Sequence, residues 1–298
     1  MTSFQVNDNE LTAVKGKVAV ITGGSSGIGL ATIELLLSLG ALVVNGDIQA
    51  PPASISDSLF VQTDVRQWGD LAKLFKTTKE KHGKVDYVFA NAGVGPRGDF
   101  LSLEVDENGD PKQPNVDTID INLSSVVNTV TLATHYMKTQ SEGAIVIMGS
   151  STGLQPVRAI DYCKSLSLFM SNSQLTSSLA TAKAGVIGFG RSFARLVEVA
   201  GLPIRVNTLA PSWTATQVLP NLKDLLAAVS EDCQAPSVVA KVATYLMVDK
   251  SRHGELIFVS GGKFTEIEKS ILAPAYEKIK GDALSDDAIL AKVMALAA

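Results

Sequence analysis

The sequence predicts an α/β protein: a single-domain, doubly wound, seven-stranded parallel sheet with helices on both faces. Three observations carry that prediction. Short β-branched apolar runs alternate with longer amphipathic ones, the order that successive βαβ units produce. The short runs are apolar almost throughout, as strands covered on both faces are. The 298 residues, 46% hydrophobic and 19% charged, suffice for one large core.

The strands follow in order. "KVAVIT" (17–22), "ALVVNG" (41–46), "SLFVQ" (58–62), "VDYVFA" (85–90), "GAIVIMG" (143–149), "IRVNTLA" (204–210) and "ELIFVS" (255–260) are rich in Val, Ile, Phe and Leu. Between them, helical periodicity covers 28–39, 67–81, 116–139, a segment ending near 200, and 236–247, with a final amphipathic run after Phe264. "DENGDPKQPN" (106–115) concentrates turn formers and reads as an exposed loop leading into the helix that carries "IDINLSS".

Composition narrows the function. A net charge of -4, a pI near 5.5 and the absence of a long Lys/Arg block argue against nucleic acid or an anionic membrane as partner. No stretch reaches the roughly 18 apolar residues of a membrane span, and the first residues lack a basic segment followed by an apolar run. The expectation is a cytoplasmic protein acting on small molecules. Cys163 and Cys233 form no pattern, and His82, His135 and His253 are scattered, so no disulfide framework and no metal site are expected.

The most informative motif is "TGGSSGIG", Thr22 to Gly29, between the first strand and the first helix. Gly23, Gly27 and Gly29 let the backbone turn tightly and approach a pyrophosphate, whose charge suits the free N–H groups of a helix N-terminus. This predicts a Rossmann fold with a bound dinucleotide. Asp47, at the end of the second strand, can accept hydrogen bonds from the adenosine ribose hydroxyls and would repel a 2′-phosphate. With Ser25, Ser26, Ile48 and Gln49 around it and no basic residue among them, NAD is favoured over NADP.

From about Lys15 to about Gly262 the chain resembles the short-chain dehydrogenase/reductase family, with "TGGSSGIG", "TDV" (63–65), "NAG" (91–93), "DINLSS" and "MGSSTG" as the matching stretches. The tail "SGGKFTEIEKSI" is similar to the prostaglandin-dehydrogenase-like branch. The resemblance implies cofactor contacts from Gly23, Ser25, Ser26, Gly27, Ile28, Gly29, Asp47, Asp64, Val65, Asn91, Ala92, Gly93, Lys183, Thr214 and Thr216. It implies Asn122, Ser150, Tyr162 and Lys183 as the catalytic set. It also implies a secondary alcohol or ketone substrate, a homodimer or homotetramer, and a division into residues 1–262 and a helical extension, 263–298, packed on them. One departure is Pro211-Ser212, where the family usually shows Pro-Gly. Arg97 and Arg158 flank the expected pocket, and Trp213 is placed to wall an apolar substrate cleft.

A larger departure concerns the tyrosine. The family chemistry needs Tyr-x-x-x-Lys, because side chains at i and i+4 share a helical face and a neighbouring ammonium favours the phenolate. Four residues before Lys183 stands Leu179, while Tyr162, correctly spaced after Ser150, is 21 positions from the lysine. Cys163-Lys164-Ser165 can be encoded with GTAAGT, an intron donor; Leu175-Thr176 can hold CTAAC; and Leu179-Ala180 can hold an acceptor AG. Excision from the second base of codon 163 to the first base of codon 180 is in frame and leaves Tyr162-Ser-Thr-Ala-Lys. Two readings of the segment therefore stand, a retained intron over 163–179 or a genuine loop insertion, and if Tyr162 cannot reach Lys183 the chain as written is a catalytically impaired dinucleotide-binding protein.

Overall fold

In a computed structural model of the chain, residues 3–97, 100, 103–156, 176–219 and 221–296 are described. Tyr162, Cys163 and Arg158 lie outside them. Among the described residues nine strands form one sheet: β1 (Ser3–Phe4), β2 (Val18–Thr22), β3 (Leu42–Asp47), β4 (Leu59–Gln62), β5 (Tyr87–Ala90), β6 (Gly143–Met148), β7 (Ile204–Pro211), β8 (Leu256–Ser260) and β9 (Lys263–Glu266), in the order β1-β9-β8-β7-β6-β5-β2-β3-β4. The seven expected strands are all present and parallel, with registers such as Val20 opposite Val44 and Val88. The count of seven is corrected to nine. The two additional strands are antiparallel, β9 on β8 and β1 on β9. A two-residue strand carries no periodicity that a sequence can reveal, and β9 is short and mostly polar.

Alternation along the central strands sorts the core into two layers. Ala19, Ile21 and Val146 face α1 (Gly27–Ser38) and α5 (Pro236–Val248), packing with Ile33, Leu36, Val239, Val242 and Leu246. Val20, Ile145 and Ile147 face the opposite layer, α2 (Trp68–His82), α3 (Ser125–Met137) and α4 (Thr176–Val199), among Leu71, Phe75, Val130, Val186 and Val197. Two helix ends have a local cause. Gly83, in the left-handed region at φ 75°, terminates α2, and Pro236 opens α5 at its first turn. The guanidinium of Arg205 donates to the Leu246 and Met247 carbonyls at the end of α5, at 2.9 and 2.6 Å.

Beyond β9 the chain forms α6 (Ala273–Lys280) and α7 (Asp286–Leu296). Ion pairs from α4 reach this region: Arg191 with Glu268, and Arg195 with Asp287. No helix among the described residues is long and apolar enough to cross a membrane. Because β2 lies between β3 and β5, the chain leaves it in opposite directions on its two sides. The crevice beyond the carboxyl ends of β2 and β5 is the switch point where open α/β sheets take ligands.

Candidate active site

A cleft of about 1150 Å³ opens at that switch point. Its floor begins with the turn after β2. Gly23 and Gly27 have φ of 68° and 54°, a region that costs other residues energy. Space matters as well as conformation: a Cβ on Gly23 would come within 2.7 Å of Ala92 Cα, and one on Gly29 would run into the Gly23 carbonyl and Asn91 Nδ2. Asn91 braces the turn, its Nδ2 donating to the Thr22 and Gly23 carbonyls at 3.0 and 3.1 Å. Thr22 Oγ1 accepts in return from the Asn91 and Ala92 amides. Ser26, at the start of α1, makes no side-chain cap, so the first-turn N–H groups of this 12-residue helix are left for a ligand. Ser26, Gly27 and Ile28 line the cleft there. An uncapped helix start and a backbone cradle that a methyl group would fill fit the pyrophosphate of a dinucleotide.

Asp47 lies at one end of the cleft. Its carboxylate is oriented by the Ser25 amide on Oδ2 and the Gln49 amide on Oδ1, each at 2.9 Å. Ser25 and Gly29 therefore act from behind the lining, Ser25 by holding the carboxylate and Gly29 by allowing the turn to close. Asp64 and Val65 border the same end. Arg66, which sequence reasoning did not place near Asp47, lines this wall too. It is committed to Asp64 through a two-pronged pair, Nη2 to Oδ2 at 2.7 Å and Nε to Oδ1 at 3.1 Å. That bond from Arg66 holds the Asp64 carboxyl below its usual range. Arg66 also stands 3.5 Å from Asp117, which Arg97 approaches at 3.7 Å. Its sequence signal was weak, since the spacing from Asp47 belongs to the next strand of the fold.

At the other end, Asn91, Ala92 and Gly93 run from β5 into the cleft beside Asn122. Asn122 sits in a π-helical turn, Asp120–Ser124, of a helical run that regular periodicity would make continuous from 116 to 139. It is fully buried and ties down Val94, accepting from its amide and donating to its carbonyl, both at 2.8 Å. Ser150 follows β6, its Oγ accepting from the Thr152 amide at 3.2 Å. Lys183, on α4, is buried at 8% exposure, with Nζ donating to the Met148 carbonyl at 3.0 Å. Burial brings its pKa down to about 8. Gly153 allows this approach, because a Cβ there would fall 2.8 Å from the Ala184 amide and nearer still to the Lys183 carbonyl.

Leu179, one turn before Lys183, lines the same cleft as Lys183 and Ser150. Trp213, 44% exposed, Thr214 and Thr216 line it as well, with Thr216 3.4 Å from where a Cβ on Gly27 would lie. Gln234, also missed from the sequence, holds Thr214 from outside the cleft. Among the described residues, no group of three or more His, Cys, Asp or Glu side chains is placed to hold a metal ion.

Comparison with known proteins finds relatives along almost the whole chain. The family model described as short chain dehydrogenase matches residues 17–165, and so ends inside the segment that separates Tyr162 from Lys183. A short-chain dehydrogenase/reductase of Acremonium egyptiacum, ascJ, is 43% identical over 304 residues covering 99% of this chain and 96% of its own. Mouse 15-hydroxyprostaglandin dehydrogenase [NAD(+)] is 28% identical, covering 89% of this chain and 97% of its own. The crystal structure of levodione reductase superposes with a TM-score of 0.66 at 22% identity, over 83% of this chain and 97% of that one, a likeness of fold.

Proposed function

The chain belongs to the short-chain dehydrogenase/reductase family of NAD(P)-dependent oxidoreductases, and from that premise we propose that it interconverts a secondary alcohol and a ketone on a small, apolar substrate. The observation that carries this reading is the convergence of Ser150, Lys183 and Asn122 in one cleft with the glycine turn and Asp47. A bound nicotinamide dinucleotide supplies the hydride acceptor or donor. Gly23 to Gly29 hold its pyrophosphate, Asp47 its adenosine ribose, Asp64 and Val65 its adenine, and Thr214 and Thr216 its nicotinamide end, with Asn91 to Gly93 lining its path from β5. Ser150 Oγ steadies the substrate oxygen. Lys183 serves the nicotinamide ribose and favours the phenolate of Tyr162, which exchanges the proton with that oxygen. Asn122 holds a water or a backbone link in the proton relay.

We further propose NAD over NADP. Asp47 would repel a 2′-phosphate, and Arg66, the basic group on the same wall, is already neutralised by Asp64. We propose that the protein works in the cytoplasm as a homodimer or homotetramer, one Rossmann domain with a C-terminal helical extension. The test is turnover of NAD with a panel of secondary alcohols, alongside calorimetry with NAD and NADP.

Leu179 supports a second reading. It occupies the position from which Tyr-x-x-x-Lys would present its hydroxyl, so the 298-residue chain as written is a dinucleotide-binding protein with impaired chemistry, and residues 163–179 are a retained intron. Binding of NAD without turnover, and a dominant transcript lacking codons 163–179, are the outcomes that favour it. A dominant transcript that keeps those codons removes the intron.

A further inference from the structure

Thr214 has a hydroxyl with no rotational choice left. Gln234, 8% exposed, clamps the segment that carries it: its amide donates to the Trp213 carbonyl and its carbonyl accepts from the Ala215 amide, both at 3.0 Å. Its side chain completes the clamp, with Nε2 donating to the Val259 carbonyl and to Thr214 Oγ1, each at 3.1 Å.

Carbonyl oxygens only accept, so Val259 determines which end of the Gln234 amide faces it. Flipping the amide would set Oε1 against the Val259 carbonyl, acceptor facing acceptor, and would give Nε2 no new acceptor, because the place Oε1 now holds has no hydrogen-bond partner among the described residues. Both Nε2 hydrogens are thus used. The same logic applies to Thr214, whose Oγ1 donates its one hydrogen to the Ser212 carbonyl at 2.8 Å. With that hydrogen given to Ser212 and one lone pair taken by Gln234, a single lone pair remains. A hydroxyl ordinarily adapts to a donor or an acceptor. Here it can only accept.

We propose that Gln234 is a positioning residue that locks Thr214 as an acceptor, so that this end of the cleft selects a ring bearing a primary carboxamide over one bearing a carboxylate. The carboxamide brings the N–H that Thr214 requires, whereas a carboxylate brings only lone pairs and would face an oxygen. This rests on the reading that the Thr214 end receives the nicotinamide. It deepens that reading by assigning discrimination to a residue outside the cleft lining.

Calorimetric titration of the full 298-residue protein with NAD and with nicotinic acid adenine dinucleotide tests it. The two ligands differ only in the carboxamide and carboxylate. The expected result is a preference for NAD of about tenfold or more. Gln234→Leu, which frees the Thr214 hydroxyl to turn and donate, narrows the preference to about threefold or less. Thr214→Ser keeps the preference and Thr214→Val loses it, a pair that stays informative if Gln234→Leu misfolds. Equal affinities in the unmodified protein, or a preference that survives Thr214→Val, overturn this inference and leave the dinucleotide reading standing. Absence of binding by either ligand overturns that reading and this inference with it.

Discussion

Leu179 stands one helical turn before Lys183, and both side chains line the cleft that Ser150 enters from the end of β6. An apolar group in that place can neither give nor take a proton, while a phenol there would share a helical face with the ammonium. Leu179→Tyr in the full chain, and a variant in which Cys163 to Ala180 is replaced by one serine, are both expected to oxidise secondary alcohols faster than the unmodified protein, the shortened variant by about 10²–10⁴-fold. Steady-state rates with saturating NAD decide this. Equal rates in the unmodified and shortened proteins would mean that Tyr162 already reaches Lys183, and the intron account would fall.

Lys183 is expected to weaken the fold that holds it. Burial lowers its pKa to about 8, below the unfolded value, so the penalty for its charge is fully present below pH 8 and disappears as pH rises through the range between the folded and unfolded values. Lys183→Met should therefore stabilise the protein at pH 7 by about 1–3 kcal/mol after loss of the Met148 bond, raising the melting temperature by a few degrees. The gain should shrink between pH 8 and 10.5. Turnover and NAD affinity should both fall. Melting curves at pH 7 and pH 10 check the sign, and a variant less stable at pH 7 would contradict it.

Asp47→Ala should narrow the preference for NAD over NADP, because the carboxylate held by the Ser25 and Gln49 amides is what opposes a 2′-phosphate. Asp64→Asn should act in the same direction, through a different route, by releasing Arg66 from its two-pronged pair. Calorimetric affinities for both dinucleotides measure this. Unchanged ratios in both variants would remove Asp47 and Arg66 from the specificity argument.

Gly153→Ala places a methyl group against the Lys183 backbone, where the chain must move to accept it. The expected cost is about 1–3 kcal/mol of stability. Turnover should fall more than NAD affinity does, since the displaced α4 carries Lys183 while the glycine turn is untouched. A variant with wild-type stability would show that α4 shifts at little cost.

The sheet, its parallel order of strands and the glycine turn were legible in the sequence because each depends on local chemistry: runs of β-branched residues, glycines at the spacing of a tight turn, and an acid at a strand end. The residues from Gly23 to Gly29 and Asp47 carry such marks, whereas Asn122, Ser150, Lys183 and Thr214 were implied by the family resemblance of the stretches that hold them. What needed the tertiary structure was the work done between distant segments. Arg66 meets Asp47's wall only because β4 lies beside β3, and Gln234 reaches Thr214 and Val259 only where the ends of β7 and β8 adjoin it. Strands β1 and β9 find each other across nearly the whole chain. A sequence records which donors and acceptors exist, but where Gln234 spends its two amide hydrogens depends on the Thr214 hydroxyl and the Val259 carbonyl, which only folding brings beside it, and no local pattern encodes them.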